Sequence, residues 1–415
     1  MEDITDFDEI QPVSPAHVVF LHNEFKNCYE DQYILDMVNA LQEKGHKITV
    51  YASELGEANC LEELNQSNGN LNLSYCGWWL PNSWKSMRSI LMALRIILFP
   101  PTPVPTVIVM DIEPIALYLL SFLNTSKLIY VTHFSTLQQA ENYTKFIKIN
   151  PNMITVKALK YANEIVVHGE TLAEVFHRSF PTLKKDIRIL HPCVETGLWK
   201  EESVEIERIV PDLPNPNFLL VCFGSYKTKS NFKLVLDAFK DVLIMSDPNL
   251  KNNIHLVIAG QCSETDLEEQ VNLNKLQEYT KEKCFASQVT FLRQLPTVYR
   301  KTLIEESMGV IIPCMYELFP ETVLAAMACS RTIIATNTGF PNEILKHRVS
   351  AILLEPHPHL FAVAMYKVLT NPTIPVFISN MAYNLYVKNY SYAAFKKKIN
   401  GLVKKYAKLQ LEFRD

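Results

Sequence analysis

Tyr316–Glu343 reads YELFPETVLAAMACSRTIIATNTGFPNE. An acid, Glu317, stands before Phe319-Pro320. The small residues from Glu321 to Cys329 predict a short, closely packed helix. The β-branched run Thr332–Thr336 predicts a strand. Gly339 turns the chain, and a second acid, Glu343, follows. Helix, strand and glycine turn in this order make one step of an α/β sheet.

The same alternation runs outward in both directions. Towards the N-terminus, His17–Leu21, Lys47–Tyr51, Thr106–Met110, Leu128–Val131 and Glu164–Val167 are short apolar runs of the kind buried parallel strands need. Ile34, Leu35, Val38 and Leu41 share one helical face within Glu30–Lys44. Nearer the opening stretch, Phe218–Phe223, His255–Ala259, Val289–Leu292 and Gly309–Ile312 form a second strand series. Trp199–Pro216 (WKEESVEIERIVPDLPNP) is charged and proline-rich, the composition of a linker. The expected organisation is a disordered lead-in over 1–16, a Rossmann-like domain over 17–198 and a linker over 199–216. A second Rossmann-like domain over 217–380 and C-terminal helices over 381–415, crossing back to the first domain, complete it. The fold class is α/β, with two doubly wound domains facing across a cleft and ligands at the carboxyl ends of the strands.

The chain has 415 residues, long enough for two cores. A net charge of −4 argues against a polyanion-binding role, so no nucleic acid is expected. The nine cysteines form no CxxC pair and no Cys/His cluster, which argues for buried thiols in a reducing compartment and against a metal site. Met1–Ala16 lacks the basic start and apolar run of a signal peptide. The apolar run Ser89–Phe99 is short and carries Arg95. Val104–Leu123 is interrupted by Asp111, Glu113 and Pro114. Neither reaches the roughly 20 apolar residues of a membrane span, and an amphipathic patch on a membrane surface stays open beside a core helix.

Several ordered motifs then carry a resemblance. They are VVFLHNEF, LDMVNALQEKGHKITVYAS, CGWWLP (Cys76–Pro81), THF (Thr132–Phe134), HLVIAG (His255–Gly260), VTFLR (Val289–Arg293) and ELFPETVLAAMA. Together they resemble the retaining GT-B glycosyltransferases, group 1. Within that family they are most similar to the α-1,3/α-1,6-mannosyltransferases that extend the dolichol-linked precursor of N-glycosylation. The resemblance implies GDP-mannose as donor, a dolichol-diphosphate-linked oligosaccharide as acceptor and no metal. It implies the cytoplasmic face of the endoplasmic reticulum membrane, or the cytoplasm, with the surface docked through Met87–Phe99. Other mannosyltransferases of the pathway are implied as partners.

The resemblance also assigns roles. Glu317 would hold the donor sugar, and His133 would lie near the reacting centre. Lys227, Lys229, Asn231, Phe319, Glu321, Thr322 and Gly339 would bind donor, with the helix N-terminus at Glu321 favouring phosphate. Other positions depart from the family. Lys26, Cys28 and Tyr29 replace loop glycines, and side chains there oppose close backbone approach. Ser225 and Ser230 replace the diphosphate arginine and lysine, Ala325 the ribose glutamate, and Phe340 a glycine. Lys227 and Lys229 would stand in for the lost charge without an arginine's bidentate fork. Two readings follow: an active mannosyltransferase with a degraded donor site, or a non-catalytic paralogue that binds or regulates a partner. A transferase with an altered donor ranks behind both, because every nucleotide-sugar keeps the diphosphate.

Overall fold

The apolar runs become strands because each is covered on both faces, so alternation is absent and burial continuous. The computed structural model describes all residues except 1–14, 26–28, 56–69, 82, 124, 134–152, 195–198, 200–201, 212, 215–217, 265, 315–320, 372 and 413–415. The chain divides into two units.

Unit 1 takes in the described residues of Met1–His168, Val175–Leu190 and Lys396–Asp415. Its strands are β1 (His17–Phe25), β2 (Lys47–Leu55), β3 (Leu71–Tyr75), β4 (Val107–Met110), β5 (Lys127–Val131), β6 (Glu164–Val167) and β7 (Ile187–Ile189). They pair in the order β3-β2-β1-β4-β5-β6-β7, all parallel. Val18 sits between Ile48 of β2 and Val107 of β4. The helix Tyr29–Gln42 buries Ile34, Leu35, Val38 and Leu41, the face that the spacing predicts.

Unit 2 takes in Gly169–Glu174 and the described part of His191–Phe395. Its strands are β8 (Phe218–Ser225), β9 (Ile254–Gln261), β10 (Val289–Arg293), β11 (Gly309–Ile312), β12 (Thr332–Thr336) and β13 (Ile352–Leu354). The order is β10-β9-β8-β11-β12-β13, again parallel. One sheet face packs Leu220, Ile258 and Ile311 against Val235, Phe239, Phe361 and Met365. The other packs Val221, Val257 and Val310 against Leu303, Val323 and Ala326. Both sheets are thus doubly wound, as expected.

Three strands escape the sequence reading. β3 (LNLSY), β7 (IRI) and β13 (ILL) all lie at sheet edges. An edge strand has one neighbour and needs less apolar surface, so its signal is short or mixed.

Residues 396–412 of the last helix, Tyr392–Glu412, belong with unit 1. Asn400 Nδ2 donates to the Ala40 carbonyl at 3.3 Å, and its Oδ1 lies 3.1 Å from His46 Nε2. Glu164 binds the same helix to the sheet. It accepts from Arg188 Nε at 2.9 Å and Nη2 at 3.0 Å, and from Lys405 Nζ at 2.6 Å. Burial alone would raise the Glu164 pKa. The hydrogen bonds from Arg188, Lys405 and Tyr406 outweigh it and bring the value down to about 2.

A lowered carboxylate pKa stabilises the fold above the unfolded-chain value and loses that effect as pH falls through the folded one. Both cations are about half-exposed, which weakens the network. Glu164→Gln is expected to cost about 1–2 kcal/mol at pH 7. In urea melts the gap from wild type should shrink between pH about 4.5 and about 2. An unchanged gap at low pH would mean that the charge is irrelevant.

Candidate functional site

The donor residues expected in the second half begin where β8 ends. Ser225 closes that strand, and its N–H donates to Ser230 Oγ at 3.1 Å. The two hydroxyls lie 3.3 Å apart. Ser230 is buried, so this pair satisfies itself inside the turn. Asn231 takes a left-handed conformation, φ 54°, and caps the helix Phe232–Met245 with its backbone alone.

The two lysines go different ways. Lys227 Nζ lies 2.9 Å from Asp266 and 3.9 Å from Glu269. The hydrogen bond to Asp266 leads the raising of its pKa, against a smaller burial effect. Asp266 also accepts from the Glu268 and Glu269 N–H groups at the start of the helix Leu267–Glu282. The positive charge of Lys227 is therefore shared with an acid that already caps a helix. Lys229 is exposed, and its carbonyl accepts from Cys314 Sγ at 3.5 Å.

The helix Glu321–Ala328 buries Val323, Leu324, Ala325, Ala326 and Met327. Ala325 is 1% exposed, so a glutamate there would need room and polar partners that this core does not supply. Glu321, expected at the helix N-terminus, pairs with Arg300 Nη1 at 2.9 Å. Its charge is thus balanced within the unit. Thr322 beside it is half-buried. Glu317 and Phe319 lie outside the described residues, as do Lys26 and Cys28. Tyr29 opens its helix, and its side chain also lies outside the description.

Gly339 has φ +63°, a conformation that suits glycine, and opens the helix Gly339–Ile344. Phe340 turns inward, its ring 5.9 Å from that of His191. Glu343 ends the motif as a buried carboxylate. It accepts from Thr171 N at 3.1 Å and Thr171 Oγ1 at 3.3 Å, and meets His191 Nε2 at 3.0 Å. A Cβ on Gly169 would lie 2.9 Å from both carboxylate oxygens, so a side chain there would have to push the carboxylate aside. Burial pushes the Glu343 pKa up, but His191 and the Glu170 and Thr171 N–H groups together hold it below the ordinary value.

Unit 1 carries a group that the sequence reading only half saw. His133 follows β5 and is buried, its Nε2 2.9 Å from Asp111 Oδ2. Asp111 follows β4 and also meets His22 Nδ1 of β1 at 2.8 Å. Asp111 looked like a mere break in an apolar run, and His22 part of a motif. A titratable residue directly after a parallel strand was the available signal.

Residues 203–385 match the family described as Glycosyl transferases group 1. The chain is 22% identical over 366 residues to the Saccharomyces cerevisiae protein named alpha-1,3/1,6-mannosyltransferase ALG2, covering 80% of this chain and 72% of that one. With the Homo sapiens protein of the same name it shares 24% over 381 residues, 88% and 90% of the two chains. Among solved structures it resembles sucrose-phosphate synthase from Thermosynechococcus elongatus, with TM-score 0.69, 13% identity and coverage of 94% and 98%. It also resembles Anabaena Alr3699/HepE in complex with UDP and glucose, with TM-score 0.68, 14% identity and coverage of 94% and 99%. These likenesses establish the GT-B fold.

Glu343→Gln keeps the shape but removes the charge that Thr171 and His191 face. It is expected to cost about 1–3 kcal/mol in urea unfolding. A loss under a few tenths would show that the amide replaces the carboxylate in full.

Proposed function

We propose that this chain, whose residues 203–385 are a glycosyl transferases group 1 domain, transfers mannose from GDP-mannose to a dolichol-diphosphate-linked oligosaccharide. The reaction belongs to the assembly of the N-glycosylation precursor at the cytoplasmic face of the endoplasmic reticulum membrane. One observation carries the reading: the likeness to ALG2 mannosyltransferases spans both units, 88% of this chain against the human protein. Glu317 would hold the mannosyl hydroxyls, and His133 would act at the sugar. Asn231, Phe319, Thr322 and Gly339 would shape the donor pocket. No metal is needed if cations and helix N–H groups neutralise the leaving diphosphate.

Diphosphate binding would be weak. Lys227 is already paired with Asp266 and Glu269, and Ser225 and Ser230 bring no charge. This geometry favours a second reading, a non-catalytic paralogue that binds or regulates other mannosyltransferases of the pathway. One assay separates the two. Purified protein is given GDP-mannose and a lipid-linked Man-GlcNAc-GlcNAc diphosphate, and products are read by mass spectrometry. Product that vanishes with Glu317→Ala supports transfer. Folded protein that makes none leaves the binding role.

The cation deficit has its own test. A hydrogen bond to a charged group contributes about 1.5–3 kcal/mol. Ser225→Arg with Ser230→Lys is expected to tighten GDP binding by about 10-fold or more in calorimetry. No gain would show that the turn does not face phosphate.

The helix Lys85–Leu98 would dock on the membrane. Met92, Ala93 and Ile96 face the core, while Trp84, Met87 and Leu98 are exposed. Trp78 and Trp79, 70% and 63% exposed, precede the helix, and Phe99 ends it under the Arg95 guanidinium. Tryptophan beside an apolar stripe with basic residues is the composition of an interfacial helix. Among the described residues no single helix is long and apolar enough to cross a membrane. Trp78→Ala with Trp79→Ala is expected to lower binding to phosphatidylserine-containing vesicles by about 10-fold in co-sedimentation. Unchanged binding would sink this docking face.

A further inference from the structure

The order of the first sheet reverses between β1 and β4. In doubly wound sheets that point, at the carboxyl ends of the strands, is where ligands bind. Leu21 of β1 pairs with Met110 of β4, so the next residues, His22 and Asp111, meet directly across it. His133 follows the neighbouring strand β5.

The hydrogen bonds fix where protons sit. His22 Nδ1 faces Asp111 Oδ2 at 2.8 Å. His22 Nε2 faces the Glu24 carbonyl at 2.9 Å and Asp31 Oδ1 at 3.1 Å. Both ring nitrogens face acceptors only, so both carry protons and His22 is a cation. Burial would lower its pKa, but Asp111 and Asp31 outweigh that and raise it to about 10. Asp111 Oδ2 also lies 2.9 Å from His133 Nε2. A carboxylate oxygen only accepts, so His133 carries its proton on Nε2. Tyr33 and His168 flank the His133 ring at 6.4 Å and 5.2 Å between centroids, and Phe25 lies against His22 at 4.3 Å.

Asp111 Oδ1 and His133 Nδ1 are buried and have no hydrogen-bond partner among the described residues. A buried polar atom without a partner is rare and calls for one. In the neutral ring Nδ1 is the only remaining acceptor, so its complement is a hydrogen-bond donor, and a hydroxyl is one.

We infer that Asp111, charged and held by a protonated His22, is the positioning residue that fixes His133 with its proton on Nε2, leaving Nδ1 to accept a hydroxyl of the sugar ligand. The ligand class rests on the mannosyl-transfer reading; the arrangement of protons does not. Asp111 thereby acts through the ring, as the outer partner of a metal-bound or catalytic histidine does.

The test uses the full chain with ¹⁵N-labelled histidine. At pH 7, long-range ¹H–¹⁵N spectra should show His22 protonated on both nitrogens and His133 protonated on Nε2 alone. Asp111→Asn should return His133 to a mixture of tautomers. Transfer by this variant should fall 10-fold or more in kcat, with the KM for GDP-mannose within about 3-fold of wild type. In a His133→Asn background, Asp111→Asn should change turnover by less than 2-fold. A His133 proton on Nδ1, or a singly protonated His22, overturns the proposal, and this needs no variant to fold. A full additional loss in the His133→Asn background overturns it too. Wild-type protein that makes no product defeats the transfer reading, while the proton positions still decide this one.

Discussion

The parallel pairing of β1 with β4, and of β8 with β11, governs the rest of the molecule. At that pairing the connecting helices leave to opposite faces, and the strand ends have no crossover above them. Residues towards the carboxyl ends of the two strands therefore meet one another and not an apolar cover. Unit 1 fills the position with His22 and Asp111. Unit 2 has Ser225 at the end of β8, and after β11 Cys314, whose thiol reaches back to the Lys229 carbonyl. The same geometry thus holds an ionic group in one unit and an uncharged one in the other.

That contrast is physical. A buried charge persists only when paired and hydrogen-bonded. His22, Asp111 and Asp31 meet this condition among themselves, so unit 1 keeps ions without a ligand. A turn carrying arginine and lysine for a diphosphate would leave two cations facing each other until the anion arrives. Ser225 and Ser230 remove that repulsion by bonding to one another, and Lys227 finds its anion in Asp266.

Much of this was legible in the sequence. Continuous apolar runs such as Val18–Leu21 declare buried parallel strands, and the motif around Glu321–Glu343 declares its helix, strand and turn without any neighbour. The short edge strands β7 and β13 were not legible, because three residues carry no period. Nor was the partnership of His22, Asp111 and His133. It depends on register between strands far apart in sequence, and a lone aspartate after an apolar run reads the same whether it meets water or a histidine. The pairing of Glu321 with Arg300 is hidden for the same reason.

Residues 396–412 pack on unit 1 through Asn400 and Lys405, beside His46 and Glu164. They leave the ribosome long after β7, the last strand of that sheet. During synthesis the first sheet stands complete in strands while Glu164 waits for Lys405, and nearly all of unit 2 emerges in between. The nascent first unit must therefore survive with one acidic flank open, and the order of translation makes the C-terminal helix its closing clasp. Nonsense truncations near residue 395 would then register first as misfolding at the opposite end of the polypeptide.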